Sequence, residues 1–108
     1  MLRSIKSSQR LPRQLAFKVT GTGTAAITIG KFDATLTDNN TGDYTLTFAK
    51  PFARIPVAVA SCETATCYAE IASATATSVQ ILTKSNANVA TDAVFHLIVQ
   101  GYDAADET

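Results

Sequence analysis

A chain of 108 residues, 46% hydrophobic and 17% charged, has room for one domain with one modest core. Its formal net charge of zero argues against a dedicated nucleic-acid binder, which needs a basic stripe across its folded face. No apolar run approaches the ~20 residues of a membrane-crossing helix, and two cysteines with one histidine are too few for an ordinary four-ligand metal site.

The charge is unevenly placed along the chain. Arg3, Lys6, Arg10, Arg13 and Lys18 lie at the start with no acid among them, and Asp103, Asp106 and Glu107 lie at the end. Residues 1–14 show no sustained periodicity and read as an extended basic arm. They lack the apolar centre of a secretory signal. Their basic, serine-containing make-up also resembles a mitochondrial presequence, a comparison that Pro12 weakens by interrupting any long amphipathic helix. Residues 15–103 form the folded domain, and 104–108 an acidic tail.

From Leu15 onward the pattern is β. Leu15–Val19 alternates apolar with small or charged residues and breaks at Gly21-Thr22-Gly23. Ala25–Ile29 is a second short strand, with Gly30 as a bend or bulge. Phe32–Leu36 alternates, and Asp38-Asn39-Asn40-Thr41-Gly42 is a dense turn cluster in which Asn and Gly reach positive φ at little cost. Tyr44–Phe48 then follows in strict period two, with Tyr44, Leu46 and Phe48 on one face and Thr45 and Thr47 on the other. Lys50–Pro56 is a connection whose prolines deny ladder hydrogen bonds. Val57–Ala60, Tyr68–Ser73 and Ser78–Thr83 are further strands, and Asn86–Asp92 is a polar loop. The last strand, Ala93–Tyr102, carries Phe95, Leu97 and Val99 on one face. Val94 and Ile98 lie on the other, with His96 and Gln100 among them. Apolar groups on both faces predict a strand covered on both sides, by the core and by a second sheet or a neighbouring subunit. About eight short strands without a helix predict an all-β antiparallel sandwich of jelly-roll type.

Catalytic chemistry finds little to work with. Gly30-Lys31 ends like a phosphate-binding loop, but Phe32 stands where Ser or Thr is required and Ala25 where the first glycine is required. No nucleophile elbow or zinc-protease helix occurs. Asp33, Asp38 and Asp43 flank a hairpin and are better placed to solvate its turn than to act as acid and base. We therefore expect no enzyme and no cofactor. Cys62 and Cys67 bracket four residues. Hairpin geometry would allow a disulfide across that neck, but a pair of small buried or half-buried thiols is the preferred reading. Asn39-Asn40-Thr41 matches a glycosylation sequon that also serves as turn chemistry. Tyr44, Tyr68 and Tyr102 suit a sugar-stacking surface or, more simply, core and interface packing.

Gly42-Asp43-Tyr44-Thr45-Leu46-Thr47-Phe48, Pro51-Phe52 and Pro56-Val57-Ala58-Val59 resemble a pattern common in tailed-bacteriophage virion proteins. Thr77–Ile81 and Phe95–Asp103 continue the pattern. The resemblance spans residues 15–103. It implies a compact β-sandwich, often trimeric, of the tail-fibre, head-fibre or capsid-decoration kind, similar in shape to the tumour-necrosis-factor and complement globular-head jelly rolls. It implies no catalytic residue. The domain stands next to a basic arm with no fibre shaft, which points to a capsid decoration or cement protein on the virion exterior. Its partners would be two further copies of itself and the major capsid protein. Arg3, Lys6, Arg10 and Arg13 are the candidate docking residues on that arm, and Val94, His96, Ile98, Gln100 and Tyr102 the candidate trimer interface. Three copies of His96 near a threefold axis would make assembly pH-sensitive. The alternative is a short fibre or receptor-binding tip whose loops Asp38–Asp43 and Asn86–Asp92 touch glycan.

Overall fold

The computed structural model describes residues 12–103. They form eight strands and, among the described residues, no helix: β1 (Pro12–Thr20), β2 (Ala26–Ile29), β3 (Ala34–Asn40), β4 (Asp43–Phe48), β5 (Val57–Cys62), β6 (Cys67–Ala74), β7 (Ser78–Ser85) and β8 (Val94–Tyr102). Two antiparallel sheets of four face each other. Sheet I has the order β2-β1-β8-β5 and sheet II the order β3-β4-β7-β6. The expected all-β sandwich is therefore present.

Its pairing combines local hairpins with long-range pairs, β4–β7 falling within β1–β8 in chain order. Consecutive strands pair as β1–β2, β3–β4 and β6–β7 hairpins, and β1–β8, β5–β8 and β4–β7 complete the sheets. Period-two alternation marks where strands lie but leaves their partners open. The connection through Pro51 and Pro56 carries the chain from sheet II to sheet I, and the corner Glu63–Thr66 carries it straight back.

The core consists of the inward side chains that this alternation selects. Val19, Tyr44, Leu46, Val79, Ile81, Phe95, Leu97 and Val99 are fully buried between the sheets. Each such large side chain contributes about 1.5–3 kcal/mol relative to exposure. Tyr44 and Phe95 pack with ring centroids 5.4 Å apart. Phe48 meets Phe52 edge-on at 5.1 Å, which seats the sheet-crossing connection on the core.

Two polar fastenings hold the ends of the sandwich. At one end, Tyr44 Oη donates to Asp92 Oδ1 at 2.6 Å, and the same carboxylate oxygen accepts from Gly42 N–H at 2.8 Å. Burial, reinforced by the Asp92 carboxylate, raises the Tyr44 phenol well above its usual range, so it stays a donor. Gly42 has φ 65°, and a Cβ there would lie 2.4 Å from the Thr83 carbonyl oxygen, so only glycine fits. Thr83, a buried polar residue, donates through Oγ1 to Thr91 O at 2.6 Å.

Arg13 forms the other fastening. Strand β1 begins at Pro12, so Arg13 and Gln14 belong to the sheet rather than to an arm: Arg13 pairs with Gly101 and Gln14 with Gln100. The Arg13 Nε and Asp103 Oδ1 atoms, both shut off from solvent, face each other at 2.5 Å. Arg13 Nη2 donates to Lys50 O at 2.8 Å, and the guanidinium lies 4.1 Å from the Phe52 ring centre. Arg13, one of the four candidate docking residues, is thus engaged within the fold. Arg3, Lys6 and Arg10, together with the tail 104–108, lie outside the described residues.

Candidate interaction surface

The two outward faces of the sandwich differ in chemistry. Sheet II presents Thr35, Thr37, Thr45, Thr47, Ser78 and Gln80, some of them tied by side-chain bonds. Asp43 Oδ1 accepts from Gln80 Nε2 at 2.9 Å, and Asn39 Nδ2 donates to Thr45 Oγ1 at 2.8 Å. Water solvates such a face well. Asp43 and Asn39 are thus held in a surface network, which fits turn and sheet chemistry rather than acid–base work. Asp33 and Asp38 are exposed.

Sheet I turns a different face outward. The register aligns Ala16 with Ile98 and Ile98 with Val59, making an apolar row across β1, β8 and β5. The next row is Gln14, Gln100 and Val57, and Pro12 stands opposite Tyr102. Val57 is 70% exposed, Val59 64%, and Ile98 and Tyr102 46% each. Two shallow depressions lie on this face. One, of about 270 Å³, is lined by Ala16, Lys18, Ile29, His96 and Ile98. The other, of about 300 Å³, is lined by Val57, Gln100, Gly101 and Tyr102.

All five candidate interface residues of the last strand therefore sit together. His96, Ile98, Gln100 and Tyr102 are exposed on this face and Val94 is half-buried at its end. Among the described residues, the cover expected over this side of β8 is not supplied by the chain's own second sheet, which packs on the opposite side. Sequence reasoning missed Val57, Val59 and Ala16 as part of the surface. In Val57-Ala58-Val59-Ala60 the larger residues suggest the core, yet it is the alanines that point inward, because Phe95, Leu97 and Val99 of neighbouring β8 already fill that space. The one available signal is that valine and alanine keep opposite parity along the strand.

One charged cluster borders the apolar rows. Glu63 Oε2 lies 2.8 Å from Lys18 Nζ and 3.0 Å from His96 Nε2. The Lys18 ammonium, then His96, hold the Glu63 carboxyl below its usual range. His96 is thus hydrogen-bonded and nearly half exposed, at the border of the face rather than in the core.

The remaining candidates are dispersed. Cys62 ends β5 on sheet I and Cys67 opens β6 on sheet II, both as free, half-buried thiols at the corner between the sheets. Burial, and then the neighbouring Cys67, push the Cys62 thiol up. Tyr68 donates to Asn88 Oδ1 at 2.6 Å, and Tyr44 is core. Among the described residues no cluster of three or more His, Cys, Asp or Glu is arranged to hold a metal ion. No family model, curated protein or solved structure matches this chain.

Proposed function

We propose that this chain is a phage virion structural protein: a capsid decoration or cement protein that binds the outer shell as a trimer and stabilises it. The observation that carries the reading is the contrast between the two outward faces. An apolar patch built on Ala16, Ile98, Val59, Val57 and Tyr102 suits burial against other copies, and the threonine-rich face suits solvent. The resemblance of its residue pattern to phage virion proteins supports the same reading. So does the low charged fraction of 17%, which suits a surface partly covered by partners.

In this scheme Arg3, Lys6 and Arg10 are the docking residues for an acidic shell. Single exposed ion pairs are weak and screened by salt. Three basic segments carried on one trimer gain through effective concentration. The decisive experiment is light-scattering mass of the purified protein, followed by co-sedimentation with undecorated capsids at low and moderate salt. A trimer that pellets near-stoichiometrically and less at higher salt bears the reading out. Deletion of residues 2–11 leaves the trimer folded and abolishes pelleting, and undiminished pelleting overturns the docking role.

A second reading, a short fibre or receptor-binding tip, draws on one specific feature. The loops around Asp38–Asp43 and Asn86–Asp92 meet at one end of the sandwich through the Gly42–Asp92 hydrogen bond. Several of their polar groups are already engaged within the protein: Asp92 with Tyr44, Asn88 with Tyr68 and Asn39 with Asp43. That leaves fewer to bind glycan, so the cement reading is preferred. Binding to host cells or polysaccharide, with no binding to capsids, would reverse the preference.

A further inference from the structure

Each sheet of an open sandwich has two edges, and a bare edge is a template for another strand unless something blunts it. Three of the four edges here are blunted. β2 is only four residues long and its pairing with β1 shifts at Lys18/Val19. β3 carries Asp38 and a register shift between Asp38 and Asn40. β6 carries Glu70 and a shift between Ile71 and Ser73. β5 has neither device, and only Pro56 at its start and nearby β6 bear on its edge. Its pairing with β8 runs without a shift from Val57 to Cys62, and the eight residues Ile55–Cys62 contain no charge.

The ladder fixes which groups on β5 are available. Glu63 N–H donates to Val94 C=O at 2.9 Å. Antiparallel alternation then directs the N–H and C=O groups of Val57, Val59 and Ser61 to β8, and those of Ala58 and Ala60 out of the sheet. No turn or loop backbone bond among the described residues reaches Ala58 or Ala60. Beside this free edge, Ile55, Val57 and Val59 are 68%, 70% and 64% exposed, so an apolar stripe runs along the same strand.

We propose that a second copy of this chain pairs edge to edge with β5, antiparallel about a two-fold axis, joining two four-stranded sheets into one of eight. The strand is its own best complement. It is uncharged, it alternates valine with alanine, and it offers valines on the outer face where a symmetric partner offers the same. Its ends carry opposite charge, with Arg54 just before it and Glu63 just after. Antiparallel pairing brings Arg54 of one copy close to Glu63 of the partner subunit, whereas parallel pairing sets like charge beside like. Both existing contacts to Glu63 go to Oε2, so Oε1 is the oxygen that the incoming arginine meets. The join uses the edge of β5, where the trimer of the preceding section uses its outward face, and links two such trimers as readily as two single chains.

The test is light-scattering mass of the full chain beside two variants. Ala60→Pro removes an outward N–H that β8 does not use, leaving the internal ladder intact. Ala58→Pro removes the other outward N–H and leaves the outer face unaltered. Both variants are expected to have half the mass of the unaltered protein. Amide exchange at Ala58 and Ala60 supplies a second readout. Pairing slows both by about tenfold or more in the unaltered protein, Ala60→Pro releases Ala58, and Ala58→Pro releases Ala60. A mass falling from six chains to three supports this join and the trimer together. A fall from two to one supports the join and removes the trimer. A trimer in all three proteins sustains the trimer and overturns the join, as does open-strand exchange at Ala58 and Ala60 in the unaltered protein.

Discussion

Replacing Arg13 with alanine separates two roles that one residue could have. A docking residue leaves stability untouched when it is truncated, whereas a clamp does not. In the structure the guanidinium faces Asp103 at 2.5 Å, with side-chain exposures of 19% and 18%. It also donates to the carbonyls of Lys50 and Pro51 at 2.8 and 3.2 Å and covers the Phe52 ring. Breaking a fully buried pair by removing one partner costs about 3–5 kcal/mol, since the other charge stays behind unpaired. Partial exposure reduces that, and Lys50 Nζ, 3.5 Å from Asp103 Oδ2, takes up part of the charge. Two carbonyl acceptors lose their donor, adding about 1 kcal/mol or more. The expected loss is about 2–4 kcal/mol, or roughly 8–30 °C in Tm for a domain of this size. Urea titration followed by circular dichroism is the assay, with the midpoint falling at unchanged slope. Arg13→Lys keeps the charge without the planar fork and is expected to fall between. A loss within about 0.5 kcal/mol for Arg13→Ala, the ordinary range of a surface substitution, would refute the clamp.

The other fastening makes its own demands. Tyr44→Phe deletes a hydrogen bond to a charged acceptor and should cost about 1.5–3 kcal/mol by urea denaturation; an effect below about 0.5 kcal/mol would mean that the knot around Asp92 contributes little. Gly42→Ala forces a side chain into positive φ against the Thr83 carbonyl and should cost about 2 kcal/mol or more. A neutral result there would show that the turn can change its backbone conformation. Glu63 sets an acid dependence. Its carboxyl is lowered in the folded chain, so its contribution is fully present above the ordinary carboxylate range and is lost as pH falls through the lowered folded value. Glu63→Gln should therefore flatten the acid side of the stability–pH curve, and an acid limb of unaltered slope counts against the Lys18–Glu63–His96 cluster.

Much of the fold is legible in the chain itself. Strict alternation in Tyr44–Phe48 and in Phe95–Val99 places Tyr44, Leu46, Phe48, Phe95, Leu97 and Val99 inside, and the structure buries all six. That follows because a strand has a period of two and only one of its faces can meet the core. The turn cluster is located less sharply. β3 extends to Asn40 and the reversal occupies only Thr41 and Gly42, since Asn39 bonds across to Asp43 and Thr45 and lengthens the ladder. The surface of the last strand is legible too, because Ile98 has the parity opposite to Leu97.

What the sequence determined by itself is therefore the set of strands, their inward faces and the outward apolar residues on β8. The partners of those strands were decided only in three dimensions, as were the orientation of Val57 and Val59 and the task of Arg13. Each depends on residues far away in the chain: β5 lies beside β8, some 40 positions on by their register, and Arg13 closes on Asp103 across nearly the whole domain. Local pattern carries the period of a strand, which is fixed by the backbone. It does not carry the identity of what packs against that strand, which is fixed by the balance of volume and charge over the assembled sandwich.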